Sequence, residues 1–309
     1  MIGVTAVRSK ELLPLRIRLR GVGTVDEETE RRDYQQGQQI HLTHQEICLK
    51  NRSHPCQISL TDPDARSMAT SGRGTGVVGY NVQTAVDAKH HLTVAHEVTN
   101  VGHDRDQLSS MAQKAREATG GDKLTVLADR GYFKGEEILD CERMGIKTLV
   151  PKPQTSGNKA LGLFDKADFR YLPGKDEYRC PAGERAIWRF KTVEDGLTLH
   201  KYWSSACPKC PIKARCTNGE YRRIARWEYE HVLETVQKRL ERTPQASRLR
   251  RQTVEHPFGT LKAWMGATHF LTKTLPRVST EMSLHVLAYN FKRLIRILGA
   301  QQIIRTVRT

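Results

Sequence analysis

Leu124-Thr-Val-Leu-Ala-Asp-Arg-Gly-Tyr132 decides the fold. A short run of apolar, partly branched residues ends in Asp129, and Gly131 interrupts it just before a helical pattern. Such a run, bounded by turn signals, predicts a buried strand of an α/β sheet. An acid at the end of that strand stands at the carboxyl edge of the sheet, where open α/β folds place their chemistry. By itself Asp129 reads equally well as a loop residue capping the next helix.

The surrounding elements extend the same pattern. Upstream, Gln57-Ile-Ser-Leu-Thr-Asp62 alternates polar and apolar residues and ends in an acid, which predicts a short strand stopped by Pro63. Residues 77–86 and 92–98 are rich in β-branched residues and are separated by Asp87-Ala-Lys-His-His91, a hairpin. Leu108, Met111, Ala112 and Ala115 recur at helical spacing, and Gly120-Gly121 closes that helix. After the Asp129 strand, residues 135–145 form a short amphipathic helix, and Lys147-Thr-Leu-Val-Pro-Lys152 is one more strand. The order predicts a mixed sheet of three antiparallel strands followed by parallel ones reached through helices. Ser71-Gly-Arg-Gly-Thr-Gly76 lacks the Lys-Ser/Thr ending of a phosphate-binding loop.

Composition narrows the class. The 309 residues carry a net charge of +16, which suits an anionic polymer as partner, most simply nucleic acid. No apolar run reaches the roughly 18 residues of a membrane span, and the first 25 residues lack the uninterrupted apolar core of a signal peptide. The expected location is the cytoplasm, where seven cysteines point to metal binding or packing over disulfides. Cys207-Pro-Lys-Cys210, with Cys180 before it and Cys216 after it, resembles a zinc knuckle, although the second pair is not itself a C-x2-C. Reduced, packed cysteines are the competing reading. Cys48, Cys56 and Cys141 look like ordinary core or surface residues.

Three acids stand out by position: Asp62, Asp129 and, in a late basic helix, Glu255. Adjacent first and fourth strands would bring the two aspartates together, and a helix crossing that edge would add the glutamate. A cluster of hard oxygen ligands binds Mg²⁺ or Mn²⁺, and two such ions roughly 3.5–4 Å apart can activate an attacking hydroxyl and stabilise a leaving oxygen. Arg251 and Lys262 flank Glu255 at four and seven residues, a spacing that places cations along one helix face beside it. Simple i, i+4 ion pairing is the alternative, and Pro257 starts or kinks the helix there. The helix of residues 280–298 ends in Lys292, Arg293 and Arg296, which complement its dipole and can also meet phosphate.

Thr61-Asp-Pro-Asp-Ala-Arg66, Gly79-Tyr-Asn-Val-Gln-Thr-Ala-Val-Asp87, Leu127-Ala-Asp-Arg-Gly-Tyr132 and Thr253-Val-Glu-His-Pro-Phe-Gly259 together resemble the DDE transposases of bacterial insertion sequences, over about residues 57–299. The resemblance implies an α/β, ribonuclease H-like fold: a mixed five-stranded sheet flanked by helices, with a cysteine-bearing insertion before the last catalytic helix. It implies catalytic, metal-binding roles for Asp62, Asp129 and Glu255, with Asp64 the rival for the first position. Asp62 and Asp129 would share the two ions and Glu255 would hold the second. The family's Tyr-Arg-Glu-Lys type third motif is matched by Arg251, Glu255 and Lys262, but Arg248 stands where the tyrosine is expected. Arg130, Arg248, Arg251 and Lys262 are the expected DNA contacts. Cys180, Cys207, Cys210 and Cys216 are the expected zinc ligands. Relatives carry a helical DNA-binding region before the first aspartate, so the chain reads as an N-terminally truncated copy.

The resulting domain plan has a remnant or linker at 1–56, a first catalytic part at 57–152, an insertion at 153–244 and completing helices at 245–309. The expected activity is metal-dependent cleavage at transposon ends and strand transfer into double-stranded target DNA, by a homo-oligomer assembled on DNA. The alternative is a catalytically inactive, DNA-binding transposase remnant.

Overall fold

The computed structural model describes residues 1–8, 59, 61–68, 77–121, 123–153 and 156–308. The chain divides into two compact units: residues 1–150 with 243–309, and residues 151–242.

The first unit is built on a five-stranded mixed sheet. Its strands are β1 (Ile2–Arg8), β4 (Asn81–Asp87), β5 (Thr93–Thr99), β6 (Thr125–Leu127) and β7 (Lys147–Leu149), in the order β5-β4-β1-β6-β7. β4 pairs antiparallel with both β1 and β5, whereas β1–β6 and β6–β7 are parallel. β2 (Arg66–Met68) and β3 (Val77–Gly79) form a separate two-stranded ribbon. The hairpin turns on Asp87, whose carboxylate accepts from the backbone N–H groups of Lys89 and His90.

The central strand differs from expectation. Ile2–Arg8, placed in a linker by sequence, pairs along its whole length with Asn81–Asp87. Of the strand expected at 57–62, residues 57, 58 and 60 lie outside the described residues, and Asp62 itself begins a turn closed by Ala65 N–H to Asp62 O. Strand pairing is nonlocal, and seven alternating residues at one end of a chain give no local sign of which partner they will find.

Helices α1 (Leu108–Thr119) and α2 (Gly135–Arg143) connect the parallel part. α1 ends at Gly120 in the left-handed conformation (φ 61°), the expected glycine stop. Ser109 donates from both N and Oγ to Glu137, which ties α1 to α2. α4 (Ala246–Gly259) and α5 (Leu275–Leu298) complete this unit, and α6 (Ala300–Val307) follows. β4 is buried at six successive positions, so both of its faces are covered. Tyr80, Val82 and Val98 pack with Phe258, Met282 and Val286 from the late helices, while α1 lies against β1, β4 and β5.

The second unit carries β8 (Arg170–Leu172), β9 (Glu177–Arg179), β10 (Arg185–Glu194), β11 (Leu197–Trp203) and β12 (Ile224–Trp227), an antiparallel sheet in the order β12-β11-β10-β9-β8, with α3 (Glu230–Arg242). Its core gathers Phe169, Tyr178, Ala186, Tyr202 and Ile224. Arg226 lies 3.7 Å over the Tyr171 ring and pairs with Glu234. Among the described residues, no helix is long and apolar enough to cross a membrane.

Candidate nucleic-acid processing site

Asp129 leaves β6 in extended conformation and caps the single turn Arg130–Tyr132, its Oδ1 accepting from Gly131 N–H at 2.7 Å. Parallel pairing sets Gly3 of β1 against Leu127. Extending that register by two residues brings Thr5 level with Asp129, and β1 holds no acid at any position. A buried polar chain starts beside Asp129. Tyr132 Oη donates to Gln83 Oε1, Gln83 Nε2 donates to Asp104 Oδ1 at 3.2 Å, and Asn81 Nδ2 donates to the same oxygen at 2.8 Å. Asn81, Gln83 and Asp104 are all buried.

Asp62 is placed differently. Both of its carboxylate oxygens accept from Tyr80 Oη, at 2.9 and 2.8 Å, and Oδ1 also receives Thr274 N–H at 3.2 Å. Asp64 Oδ2 accepts from Leu275 N–H at 2.8 Å. Thr274 and Leu275 open α5, so the two aspartates fill donors that a helix start leaves unpaired, and their charge suits the positive end of the dipole. Burial, and then the neighbouring Asp62 and Asp64, push the Tyr80 phenol well above its ordinary range, so it remains a donor. Neither Asp62 nor its rival Asp64 ends a strand of the large sheet.

Glu255 lies on the exposed side of α4, whose buried residues Thr253, Val254, Pro257 and Phe258 face inward. Val254 presses so closely on Gly3 that a Cβ there would stand 2.7 Å from Val254 Cγ1. Arg248 and Arg251 share the exposed face with Glu255, and Arg130 is exposed beside Asp129. Lys262 stands in the π-helical turn Thr260–Trp264, which breaks the 3.6-residue period behind the i+7 reading. It lines a small cavity with Val82, Phe258 and Phe270. Among the described residues, no group of three or more His, Cys, Asp or Glu side chains is arranged to hold a metal ion. Asp62, Asp129 and Glu255 therefore do not form the expected shared ion site, because Asp62 is bound at the start of α5 and Glu255 points off the exposed face of α4.

Next to Glu255, His256 stacks on His91 with ring centroids 4.9 Å apart, and its Nδ1 is 2.9 Å from Tyr289 Oη. Tyr289 donates its hydrogen to His91 O, so His256 Nδ1 is the donor to Tyr289. Burial, and then Arg293, His91 and Arg296, lower the His256 pKa and keep the ring neutral.

In the second unit, Cys180, Cys207, Cys210 and Cys216 line one cavity together with Phe169 and Arg222. All four are free thiols. Cys207 and Cys210 are joined by a turn from Cys210 N–H to Cys207 O, and Gly183 N–H closes a similar turn on Cys180 O. Burial raises the Cys216 thiol, Arg222 opposes that, and the other three cysteines add to it. Cys141 is buried in α2 with its thiol pushed up to about 12, an inert packing residue, while Cys48 and Cys56 lie outside the described residues.

Asn81, Gln83 and Asp104 were not singled out from sequence. A signal existed: two amides two residues apart in an otherwise apolar strand share one face and need a buried partner.

Residues 28–291 match the model of the transposase DDE domain. The chain belongs to that family. A solved structure, a cryo-EM structure of a piggyBac transposase synaptic complex with hairpin DNA, resembles this transposase-domain chain at 8% identity and a TM-score of 0.33. The likeness covers 79% of this chain and 45% of that one, so the chain spans less than half the length of the solved relative. No curated protein matches the sequence. Within this DDE transposase domain, Asp129 is the expected catalytic residue that stands at the carboxyl end of a strand of the large sheet.

Proposed function

We propose that this transposase-family chain cuts DNA at the ends of a mobile element and joins the freed 3′-hydroxyl to double-stranded target DNA. The observation that carries this reading is Asp129 at the end of β6, beside the central strand of a five-stranded sheet, in a chain that matches the transposase DDE domain across residues 28–291. Strand order and directions, three antiparallel strands followed by parallel ones, support a ribonuclease H-like catalytic core with residues 151–242 as an insertion. Arg130, Arg248 and Arg251, all exposed, and Lys262 would contact phosphates, which position the duplex without reading its sequence. The net charge of +16 supports the same partner. Divalent-ion chemistry belongs to this reading, but the set Asp62, Asp129 and Glu255 does not fit an ion here, and no step is assigned through it. The four cysteines on one cavity wall are assigned a structural Zn²⁺, which would draw their sulfurs together. Cytoplasmic location and assembly of several copies on DNA complete the proposal.

A second reading is a DNA-binding transposase remnant without catalysis. It is favoured by one observation: β1 offers no acid level with Asp129, and Asp62 is committed to α5. The test supplies the full chain with a duplex carrying the element's terminal sequence, with intact and precut 3′-hydroxyl ends, in Mg²⁺. Joined product that disappears in Asp129→Asn is expected. Salt-dependent binding with neither nicking nor joining selects the remnant, and nicking without joining selects a nuclease.

A further inference from the structure

α5 is apolar on two opposite sides. Val278, Met282, Val286 and Tyr289 are buried, and they pack with Val82 and Val98 of the large sheet. At roughly 100° per residue, Leu284, Leu287, Phe291, Ile295 and Leu298 fall on the other side. All five are exposed, Leu287 by 63% and Phe291 by 52%. No charged residue falls inside that stripe. A surface helix ordinarily turns charged residues outward, and one that is apolar all round is covered by something. A contiguous exposed stripe of this kind marks an interaction surface.

The spacing points to what covers it. Leu284, Leu287, Phe291, Leu294 and Leu298 advance by three and four residues in turn, the repeat by which one helix pairs with another. The set is also symmetric about Phe291. Leu284 and Leu298 stand seven residues to either side, Leu287 and Ile295 four, Ala288 and Leu294 three. A two-fold axis at Phe291 therefore lays each apolar residue of one copy on an apolar residue of the other, the self-complementarity of an isologous contact.

Charge sets the direction. Lys292, Arg293 and Arg296 lie towards the end of α5, and its one acid, Glu281, lies near the start. Parallel copies would set those cations side by side. Antiparallel copies place each basic end beside the end of the other copy that carries Glu281, and they oppose the helix dipoles. The cations also stand clear of the stripe: Lys292 Nζ lies 5.0 Å over the Trp264 ring, and Arg293 Nε donates to His90 O. At about 180 Å² for a large apolar side chain, the five exposures leave about 450 Å² per copy. Pairing would remove about 900 Å² of apolar surface, and the flanking groups would carry the total past the roughly 1,000 Å² at which specific interfaces begin.

We propose that the outer face of α5 seats α5 of a second copy of this chain, antiparallel about Phe291, and that the protein is a two-fold dimer before it meets DNA. The inference goes beyond assembly on DNA, since no nucleic acid takes part in the contact. It does not rest on the chemistry of the transposase reading, so either can fail alone.

The test is sedimentation equilibrium of the full chain without DNA, with fold followed by circular dichroism. Wild type should pass with rising concentration from the 35.1 kDa monomer to twice that mass. Leu287→Lys and Ile295→Glu should each weaken the dimer at least about tenfold with an unchanged dichroism spectrum. Leu271→Lys, at an exposed position outside the stripe, should leave the dimer as it is. Mixing the Leu287→Lys and Ile295→Glu chains should restore dimers, because antiparallel pairing sets the new cation of one against the new anion of the other and parallel pairing does not. A mixture that stays monomeric would overturn the antiparallel contact. A wild-type monomer at every concentration, or a dimer indifferent to both variants, would overturn the proposal and give the face to another segment of this chain or to a different protein. Should a variant not fold, wild-type chains mixed with isotope-labelled chains decide. An amine cross-linker should join Lys292 of one copy to Lys292 of the other, and absence of that product would refute the contact.

Discussion

Asp62 and Asp129 look alike in sequence, each an acid at the end of a short strand-like run, yet the structure uses them in opposite ways. At the start of α5, Asp62 is surrounded by donors: a phenol on both oxygens and the backbone N–H groups of Thr274 and Asp64. Just past β6, Asp129 accepts one backbone N–H, from Gly131, and caps a single turn. Donors that already fill an acid make it a structural anchor, whereas a carboxylate that caps one short turn at a sheet edge is not tied into another element's start. What occupies a carboxylate, more than where it falls in a motif, separates the two roles.

The widest separation should appear in stability when the anchor is removed. Asp62→Ala leaves the buried Tyr80 hydroxyl and the first turn of α5 without their acceptor and should cost about 1–3 kcal/mol, read by urea unfolding. Asp129→Ala should cost clearly less, and equal losses would erase the distinction. Gly131→Ala sharpens the comparison from the other side. Its Cβ would stand 2.9 Å from Asp129 Oδ1, so the carboxylate must move and DNA joining in Mg²⁺ should drop while the melting temperature changes little. Unchanged joining would mean that the placement of Asp129 against Gly131 plays no part in the reaction.

Much of the first unit was legible because its signals are local. The hairpin around Asp87–His91, the helix whose apolar residues are Leu108, Met111, Ala112 and Ala115, and the strand before Asp129 all follow from periodicity and glycine stops. α5 starts at Leu275, earlier than its apolar pattern from Thr280 suggests, because Asp62 and Asp64 cap it from more than two hundred residues away. β1 was illegible for the same kind of reason, since nothing near Ile2–Arg8 announces pairing with Asn81–Asp87. The Asp104 network was missed because Asp104 looks like one more polar residue before a helix. Only folding brings Asn81 and Gln83 to it.

The second unit extends the comparison to sulfur ligands. If its cysteines hold zinc, the purified chain should contain about one Zn²⁺ per protomer, lost in the Cys207→Ser, Cys210→Ser double variant with a lower melting temperature. A zinc-free chain with an unchanged melting temperature would leave the thiols as packing groups.

The smallest expected effect is acid sensitivity near Glu255. The His256 pKa is lowered in the folded state, so the unfolded chain binds the extra proton more readily. Stability from this group is therefore present above about pH 6.5, the free histidine value, and declines as pH falls below it. Replacing His256 with Gln should flatten the melting-temperature profile between about pH 7 and pH 5. An unaltered profile would assign the acid sensitivity elsewhere.

The most direct measurement is joining of a precut element end to target DNA in Mg²⁺ by wild type, Asp62→Asn and Asp129→Asn, under conditions where all three are folded. The account predicts product from wild type and Asp62→Asn and none from Asp129→Asn. Product from Asp129→Asn, or its loss in Asp62→Asn alone, would contradict it.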